Sequence, residues 1–472
     1  MCNCCVETVP PDSRYQAFGQ PVQTWQARLL AGLDRSLRAS DQSLGHIEEE
    51  IAYQTRDLER ALAQEAAQKK ADQTPPLCPV CGTKLMRLTH GHERTLQTRF
   101  GPIRLRRSRG WCRRCQAWCF AADHALGIDT GGTASPAVQE MAALLGSKMP
   151  LTEASAVLQR LTGVELPRAT LDREAQRQGE RAEELRETLD AAMKTAAGAR
   201  AQNQVATSSP FTLVLEIDAW NIRERDAWGQ SARRRARGLE PPRWHWVYGA
   251  TCFRLDQRVR KGQRAIILSR GTVMTRAGLD ALREQLWAEA MRHGLAQAAR
   301  VLVLADGAVW IWNLVTDRFE KAVERLDLFH AKEHLWAVAR ALHPEEEEAA
   351  AKWVQPLLKD LEKDRGEQVL ATLESLMEGL RQAAREAVEK EIHYFGANLA
   401  RMKYKDGKRR GEPLGSGAIE STCRQYQCRF KRPGQFWTRE GDEALMCLET
   451  FWRNGRWQVL FPHCVHCDPS KN

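Results

Sequence analysis

Two pairs of cysteines, Cys78-Pro-Val-Cys81 and Cys112-Arg-Arg-Cys115, constrain the fold of this chain more than any other feature. They are separated by 30 residues, and Gly101-Pro102 marks a turn within that stretch, which is typical of a β-hairpin. Four thiolates suit a closed, tetrahedral Zn²⁺ site, which is structural because no position is left for water or substrate. We therefore predict a zinc ribbon over residues 75–130, which the metal stabilises.

Other cysteines bear on the same prediction. The chain has 14 cysteines, mostly in close pairs, and this pattern favours metal binding over disulfides in a reducing compartment. Cys119 is either a further ligand or a small buried apolar residue. Cys2, Cys4 and Cys5, and the tail His463-Cys-Val-His-Cys467, could bind metal weakly or belong to terminal segments without a site.

The charge of the chain favours a polyanionic partner. Lys and Arg number 70 against 60 Asp and Glu, which gives a net charge of +10 and an isoelectric point near 9.0. The excess lies in three clusters, 104–109, 233–237 and 403–410, although each alone could be a solvated surface. No apolar run approaches the ~18 residues of a membrane span and the N-terminus lacks the features of a signal peptide, so we expect a cytoplasmic protein without a membrane segment.

The first 200 residues indicate three modules. Apolar residues recur at helical spacing from about residue 22 to 70, which predicts a helical region over 1–74 that ends at Pro75-Pro76. The predicted zinc ribbon comes next. Over 131–200, a short helix, a tight turn and a helix that starts at Pro167 are typical of a helix-turn-helix, with Arg168 as a candidate DNA contact.

The remaining sequence predicts a mixed α/β domain over 211–460, followed by a tail over 461–472. The strand-like segments are 211–217, 244–253, 265–268 and 300–304, and an amphipathic helix precedes the last of them. From His334 to about Lys390 the pattern is helical throughout, which predicts an all-helical insertion at about 335–400.

Two carboxylates follow apolar strands, and a third opens a helix. Asp218 and Asp306 each come directly after a strand-like segment, so both are expected at the C-terminal edge of the sheet, where ligands bind in open α/β folds. Glu420 lies in Gly415-Ser-Gly-Ala-Ile-Glu420, whose glycines would let a helix start close to that edge. A single strand-end carboxylate commonly just caps a turn. Three that meet at one point would suit a pair of Mg²⁺ or Mn²⁺ ions in phosphoryl transfer.

Four segments resemble bacterial insertion-sequence transposases of the DDE type. They are Glu216-Ile-Asp-Ala-Trp-Asn-Ile-Arg-Glu-Arg225, Ala305-Asp-Gly-Ala-Val-Trp-Ile-Trp312, Leu326-Asp-Leu-Phe-His-Ala-Lys-Glu-His-Leu-Trp336 and Gly415-Ser-Gly-Ala-Ile-Glu-Ser421. The ISKra and ISLre groups are the most similar, and Mutator-like elements are more distant. The resemblance runs from about residue 211 to 457. One departure is Asp218-Ala219, where many relatives have Asp-Gly.

The resemblance implies an α/β RNase H-like catalytic domain that is interrupted by the helical insertion. It implies that Asp218, Asp306 and Glu420 hold two Mg²⁺ or Mn²⁺ ions, and that the protein is a DNA transposase that cleaves and joins strands. Its partners would be double-stranded DNA, both the ends of the element and the target. A homodimer or higher oligomer is expected because two ends are cut together.

Asp327-x2-His330 resembles a signature that follows the second catalytic Asp in Mutator-like enzymes. His330 is therefore either a catalytic residue near the scissile phosphate or a residue that satisfies a local hydrogen bond. A rival interpretation comes from His330-Ala-Lys-Glu-His334, which matches the H-x-x-E-H motif of inverted zinc peptidases, with Glu333 as the general base. That motif is short, no third ligand is obvious, and a peptidase explains neither the zinc ribbon nor the basic clusters.

Basic residues around these motifs are candidate DNA contacts. Those on both sides of Glu420 would hold phosphates beside the metal ions, and those on the ribbon and the helix-turn-helix would bind the ends. The candidates are Arg104, Arg106, Arg107, Arg168, Lys403, Lys405, Arg424, Arg429 and Lys431. Nearby tryptophans could stack on unpaired bases, although tryptophans more often belong to the core. These are Trp310, Trp312, Trp336, Trp437 and Trp457.

Two other functions share these features. A DNA-binding regulator descended from a transposase would keep the ribbon and the helix-turn-helix without the reaction, but a pure binder has no need of three carboxylates beside phosphates. An RNase H-like nuclease would cut DNA without joining it, although a dedicated end-binding module favours transposition.

Overall fold

The computed structural model describes residues 16–38, 42–129, 131–203, 209–224, 233, 236–238, 243–262, 264–378 and 380–462. The cysteines and histidines predicted as possible terminal metal ligands lie outside these residues. The described residues divide into two compact units, one up to Gln178 with Phe461 and Pro462, the other Gly179–Leu460. The boundary falls inside the helix Arg168–Met193, which contributes side chains to the interior of each unit.

The first unit begins with two long helices, α1 (Gln16–Arg38) and α2 (Leu44–Gln73), which pack on each other. The second of them stops before Pro75-Pro76, as the sequence predicts, because proline cannot continue the backbone hydrogen-bond ladder. A three-stranded antiparallel sheet follows, with strands β1 (Met86–Thr98), β2 (Gly101–Cys112) and β3 (Ala117–Cys119) in that order. Its buried side chains include Leu96, Ile103 and Leu105, which alternate with exposed residues along the strands.

Two glutamines of α2 cover the edge of β2 that β1 leaves free. The Gln64 amide accepts a hydrogen bond from Arg104 N (2.7 Å) and donates one to Arg104 O (2.5 Å). Gln68, one helical turn later, does the same with Arg106 N (2.9 Å) and Arg106 O (3.0 Å). The glutamine side chains thus take the place of a neighbouring strand and satisfy backbone groups that an edge strand would leave unpaired.

The rest of the first unit is helical, with a short helix α3 (Ala121–Ala125) followed by α4 (Pro136–Lys148), α5 (Leu151–Thr162) and α6 (Arg168–Met193). A buried cluster that includes Val138, Leu158 and Leu171 joins these last three helices. Gly163 ends α5 in the left-handed conformation that favours glycine, so the chain turns tightly before α6. The helices and turn predicted for the helix-turn-helix are therefore present. In the second unit, α6 is followed by α7 (Ala196–Gln202).

The second unit contains a mixed sheet of five strands. They are β4 (Thr212–Glu224), β5 (Arg243–Arg254), β8 (Gly271–Thr275), β9 (Arg300–Ala305) and β10 (Val323–Leu326). The order across the sheet is β10-β9-β4-β5-β8. Strand β5 runs antiparallel to both its neighbours, whereas β9 and β10 run parallel to β4. The fold is thus mixed α/β, as the sequence predicts.

One predicted strand lies elsewhere. Residues 265–268 were expected in the central sheet, but β7 (Arg264–Ile267) pairs with β6 (Arg258–Lys261) in a separate two-stranded hairpin. The corresponding place in the five-stranded sheet, at its edge beside β5, belongs to β8, whose sequence Gly-Thr-Val-Met-Thr has no continuous apolar run although all five residues are buried. Hydrophobic pattern alone therefore favoured the wrong segment.

Helices cover both faces of the central sheet. Helix α8 (Leu279–Arg292) lies between β8 and β9 in the chain, and α9 (Val309–Arg318) lies between β9 and β10. After β10 come α10 (Leu328–Leu342), α11 (Glu347–Glu362), α12 (Gly366–Ser375), α13 (Gln382–Asn398), α14 (Tyr404–Arg409), α15 (Gly417–Phe430), α16 (Arg439–Arg453) and α17 (Trp457–Leu460). The stretch 335–400 is helical, as predicted, and its apolar side chains join the same core as Leu213, Leu215 and Ile217 of β4. Val214 on the opposite face packs near Ala418 of α15. No helix among the described residues has both the length and the hydropathy needed to cross a membrane.

Candidate functional site

Asp218 lies in β4, and Asp306 directly follows the neighbouring parallel strand β9. The last pair in the register of β4 with β9 is Glu216 with Leu304, and Asp218 and Asp306 each come two residues after this pair. Neighbouring strands are about 4.8 Å apart, and level residues of parallel strands point to the same face. The prediction that Asp218 ends its strand is wrong, because β4 continues to Glu224 in pairing with β5. The neighbouring strand β9 does end here, so from Asp218 onward no described strand pairs with β4 on that side.

Helix α15 brings Glu420 to the same face. Glu216, buried in β4 two residues before Asp218, accepts a hydrogen bond from Ile419 N (2.9 Å) and so holds the first turn of the helix. Gly249 lies opposite Asp218 on β5, and a Cβ there would come within 3.3 Å of Cys423 Sγ. Glycine at this position therefore lets α15 approach the sheet directly over Asp218.

The electrostatics of Asp218 reflect the two other carboxylates. Burial raises the pKa of Asp218, and the negative charges of Asp306 and Glu420 raise it further, against a lowering by the hydrogen bond from Ala219 N (2.7 Å). Burial, with the negative charge of Asp218 next, also raises the pKa of the neighbouring Cys423 thiol. Asp306 and Glu420 are thus close enough to oppose the ionisation of Asp218, and a cation would relieve this repulsion.

These carboxylates do not form a tight cluster. Within the part of the chain that the structure describes, one group alone has three or more potential metal ligands within 4.8 Å of one another, and it consists of cysteines. Asp218, Asp306 and Glu420 are therefore spread more widely than the ligands of a single small ion. Ligands of two ions that are themselves about 3.5–4 Å apart would be spread in this way.

Asp327, which is fully buried, connects two of the sequence motifs. One carboxylate oxygen accepts from Phe329 N (2.6 Å) and His330 N (3.2 Å) and so caps α10. The other accepts from both the N–H and the hydroxyl of Ser416, just before α15. At Gly415 a Cβ would come within 2.5 Å of the Phe329 ring, so the motif requires glycine there.

A buried ion pair ties down the chain that leads to Glu420. Arg325 of β10 donates to Glu412 Oε2 (2.7 Å), to Lys403 O (3.2 Å) and to Pro413 O (3.2 Å). The sequence analysis did not single out Arg325 or Glu412, since an arginine in a short strand gives no sign of its distant partner. Their pairing fixes both ends of the basic segment 403–410 on the sheet.

The helical insertion contributes Tyr394 to the site. Its hydroxyl donates to Asp306 O (2.8 Å), and its ring stacks on His334 with the centroids 3.7 Å apart. His334 Nδ1 lies 2.5 Å from Glu391 Oε2, whereas His330 Nδ1 lies 3.3 Å from Glu333 Oε2. The two histidines of the H-x-x-E-H motif thus have separate partners, and among the described residues they belong to no group of three close ligands. The geometry gives the peptidase interpretation no support.

Most of the predicted DNA contacts are exposed. They are Arg104, Arg106, Arg168, Lys403, Lys405, Arg424 and Lys431. Two others are corrected by the structure. The Arg107 side chain is 8% exposed and forms an ion pair with Asp123, and Arg429 is 5% exposed with its guanidinium 4.9 Å from the Trp437 ring. Both charges are directed into the protein, because the carboxylate and the ring that stabilise them lie there.

The tryptophans divide in the same way. Trp312, Trp437 and Trp457 are buried and Trp310 and Trp336 partly buried, so most of those predicted near the motifs serve the core. The tryptophans of this unit that are exposed among the described residues, Trp244 and Trp246, were not singled out. Their spacing of two residues on a strand next to a basic segment could have revealed them, because such residues share a face.

The four predicted zinc ligands converge in the first unit. The sulfurs of Cys78 and Cys115 are 3.8 Å apart, those of Cys81 and Cys112 are 3.5 Å apart, and all four lie within 4.8 Å of one another. Tetrahedral zinc with bonds of about 2.3 Å places its sulfurs about 3.8 Å apart. Cys119 packs beside this cluster but is not part of it. The cluster could therefore hold a metal such as zinc.

Comparison with known proteins gives a family without an assigned activity. Residues 285–459 match a family described as "Uncharacterised protein family (UPF0236)", a range that contains Asp306 and Glu420 but not Asp218. A protein of Streptococcus gallolyticus, described as "UPF0236 protein in vanSb 3'region", is 32% identical over 111 residues. That alignment covers 23% of this chain and 24% of the relative, so the chain spans about a quarter of the length of the curated relative it matches.

Proposed function

We propose that this chain is a DNA transposase of the DDE type, in which Asp218, Asp306 and Glu420 are the catalytic carboxylates. The observation that carries the proposal is their convergence from three distant parts of the sequence on one face of the sheet, beside the point where β9 ends. A structural role does not account for it, because burial and the negative charges of Asp306 and Glu420 raise the pKa of Asp218, and such crowding costs stability unless a cation or a substrate compensates.

The sheet supports an RNase H-like catalytic domain. Counted along the chain, the first three strands of the central sheet form an antiparallel meander, and the last two lie beside the first strand and parallel to it. That arrangement is the one expected of the fold, and it puts the first and fourth strands next to each other. Asp218, inside the first of these strands, and Asp306, just after the fourth, then belong to one site. The match to insertion-sequence motifs in the same places supports the same interpretation.

The donor set fits hard divalent cations. Asp218, Asp306 and Glu420 offer carboxylate oxygens, which Mg²⁺ and Mn²⁺ prefer, and these residues would hold them. When bound, such ions supply positive charge to both the attacking and the leaving oxygen in a displacement at phosphorus. Glu216 and Asp327 orient the helix that carries Glu420, and Tyr394 positions the backbone of Asp306. The same carboxylates can serve strand cleavage and strand joining, since both are displacements at phosphorus.

The remainder of the chain fits a partner of double-stranded DNA. Exposed Lys403, Lys405, Arg424 and Lys431 are available to phosphates in the catalytic unit, and Arg104, Arg106 and Arg168 in the first unit. We assign the cysteine cluster to a structural Zn²⁺ in a ribbon that helps to bind the ends of the element. Cutting at two ends calls for a homodimer or a higher oligomer, acting on DNA in the cytoplasm.

The test is strand cleavage and joining of labelled DNA that carries the element's own ends, with Mg²⁺ or Mn²⁺. Asp306→Asn keeps the oxygen that accepts from Ala308 N (3.0 Å), and Glu420→Gln keeps the size of the side chain, so both variants should fold. Each is expected to lower cleavage at least about 1,000-fold, the scale at which loss of a transition-state charge partner acts. Glu378→Gln, which changes an exposed carboxylate of the helical insertion, is the matched control and should be as active as the wild type.

The outcomes separate the alternatives. Joined products that disappear in both variants but not in the control would support the transposase. Cleavage without joining would replace it by a nuclease. Binding to the ends without cleavage, unchanged by the substitutions, would replace it by a DNA-binding regulator.

A further inference from the structure

Strands β4 and β5 continue as a ribbon beyond the rest of the central sheet. Strand β9 pairs with β4 only as far as Glu216, and β8 pairs with β5 only between Tyr248 and Cys252. The pairing of β4 with β5 nevertheless continues to Glu224 and Arg243. The end of this ribbon therefore has a face that no neighbouring strand or described helix of the sheet covers completely.

Two tryptophans lie exposed on one face of the ribbon. Trp244 is 49% exposed and Trp246 is 54% exposed, although tryptophan is usually much more buried. Because they are two residues apart in β5, they are on the same face and about 6.8 Å apart along the strand. Their partners on β4 are Arg223 and Asn221. Asp218 is on the opposite face, so these indoles do not belong to the carboxylate site itself.

Two cations lie beside the Trp244 indole. The Arg223 guanidinium lies 4.5 Å from the centre of the Trp244 ring, and Lys431 Nζ lies 5.5 Å from it. From residue 223 to 243 the sequence has seven arginines and three acidic residues, and Arg233 and Arg237 in this connection are exposed. Of the three acidic residues, Glu224 is buried and forms an ion pair with Arg276. The surface therefore combines aromatic faces with an excess of cations.

We propose that this ribbon binds unpaired nucleotides of DNA, with bases stacked on Trp244 and Trp246 and phosphates against Arg223 and Lys431. Aromatic faces accept unpaired bases of any sequence, whereas the bases of a duplex are stacked on one another and out of reach. Cations beside the rings match the backbone of the strand and exclude an apolar or basic protein segment. The proposal rests on the proposed function only for the source of the unpaired DNA, since cutting at an element's ends exposes unpaired nucleotides.

The experiment measures the affinity for fluorescein-labelled dT15 and for a 15-base-pair duplex by anisotropy, without added divalent metal so that no strand is cut. In Trp244→Ala/Trp246→Ala, binding of dT15 should weaken by roughly 25-fold or more, because each stacked base contributes a factor of about 5 to 150. Duplex binding should change less than about twofold. Trp244→Phe/Trp246→Phe keeps aromatic faces and should restore most of the affinity for dT15.

Two controls make the result specific to this surface. Trp118→Ala removes an exposed tryptophan from the three-stranded sheet of the first unit and should leave dT15 binding unchanged. Arg223→Gln/Lys431→Gln should reduce the slope of log affinity against log salt by about 0.7 for each lost phosphate contact, whereas the tryptophan variants should not change the slope. Circular dichroism establishes that each variant is folded.

Equal binding of dT15 by the wild type and a folded Trp244→Ala/Trp246→Ala variant would overturn the proposal. The proposal would also be overturned if that variant changed its oligomeric state in analytical ultracentrifugation while its affinity for dT15 stayed the same. The indoles would then form a contact between subunits. Because no metal is added, these results are independent of cleavage. If the protein binds dT15 through the indoles but never cuts the ends of the element, that result would contradict the proposed transposase activity and still support the binding of unpaired nucleotides.

Discussion

One carboxylate oxygen of Asp327 accepts two hydrogen bonds from Ser416, from the backbone N–H and from the hydroxyl, each at 2.6 Å. The other oxygen caps α10, so a single buried side chain holds the start of α10 against the turn that leads into α15. Glu420 is in the first turn of α15. Its position relative to the sheet therefore depends on Asp327 as well as on Glu216.

Replacement of Asp327 by alanine should strongly destabilise the protein. It leaves the buried N–H of Ser416 without an acceptor, at a cost of about 1–3 kcal/mol, and it removes the cap on Phe329 N at the start of α10, at a cost of about 0.5–2 kcal/mol. We expect Asp327→Ala to lower the free energy of unfolding by roughly 3 kcal/mol or more, as measured by urea titration. Ser416→Ala removes only the hydroxyl bond and should cost about 1 kcal/mol. Equal stabilities for the two variants would contradict the role assigned to the Asp327 carboxylate.

The buried Glu216 predicts a fall in stability as the pH rises. Burial raises the pKa of Glu216 to about 8. Hydrogen bonds from the backbone of Ile419 and Ala418 oppose this rise, as does the positive charge of Arg270, whereas the negative charge of Asp327 adds to it. The unfolded chain releases this proton near pH 4.5, about the ordinary value for glutamate, but the folded protein keeps it to about pH 8. Stability from Glu216 is therefore complete below about pH 4.5 and is lost between there and pH 8, by roughly 1.4 kcal/mol per pH unit.

Glu216→Gln isolates this contribution. Glutamine keeps an oxygen to accept from Ile419 N but has no proton to lose, so the variant should gain stability relative to the wild type as the pH rises, least at pH 5 and most at pH 7.5. The background slope remains, because burial also raises the pKa of Asp442 to about 8 and that of Glu183 to about 7. Urea titrations at pH 5, 6 and 7.5 test this. Parallel stability curves for wild type and variant would show that Glu216 does not titrate in this range.

Much of the site could be predicted from the sequence because its signals are local. Asp218 and Asp306 follow recognisable apolar runs, the glycines before Glu420 mark a close approach, and the spacing of Cys78 and Cys81 is itself a metal-binding signature. Each of these patterns depends on a few neighbouring residues. Hydrophobic periodicity likewise predicted the helical insertion.

The residues that were missed depend on distant partners. Strand β8 is buried only because β5 lies beside it, and its glycine and threonines give no apolar run. Arg107 resembles a phosphate contact in sequence, yet Asp123 neutralises it in the folded ribbon. Glu216 looks like an ordinary strand residue until α15, about 200 positions later, supplies its hydrogen-bond donor. Tertiary contacts of this kind cannot be derived from local pattern.

The cysteine cluster predicts one zinc ion per chain. Purified protein should release one equivalent of zinc to a chromogenic chelator after the thiols are modified, and Cys112→Ser should carry much less because a tetrahedral site with three thiolates is weaker. Cys428→Ser, which changes an exposed cysteine away from the cluster, should retain the full equivalent. Cys119→Ser should also retain it. Loss of zinc in Cys119→Ser would make Cys119 a ligand and change the assigned set.

Tyr394 predicts a defect in turnover rather than in DNA binding. Tyr394→Phe keeps the ring on His334 but removes the hydrogen bond to Asp306 O, so Asp306 is held less firmly. If the proposed function is right, we expect kcat for cleavage of the ends to fall about 10-fold, as a misplaced catalytic group would cause, with KM for DNA unchanged. Tyr404→Phe is the control, since the buried hydroxyl of Tyr404 has no partner among the described residues and should be dispensable. A matching rise in KM would instead assign Tyr394 to DNA binding.

The glutamines of α2 predict local protection of the β2 edge. Gln64 and Gln68 together make four hydrogen bonds to the backbone of Arg104 and Arg106, and their replacement by alanine would leave those groups to water. In Gln64→Ala/Gln68→Ala we expect hydrogen exchange at the amides of Arg104 and Arg106 to accelerate at least about 10-fold, since each bond contributes about 0.5–1.5 kcal/mol. Gln54→Ala, on the same helix but bonded to Glu50, should leave these amides protected. The variant keeps the side chains of Arg104 and Arg106, so its affinity for duplex DNA should fall only if the β2 edge itself shifts. If hydrogen exchange at these amides is unchanged while the affinity for duplex DNA falls, the glutamines contact DNA and do not protect the strand edge.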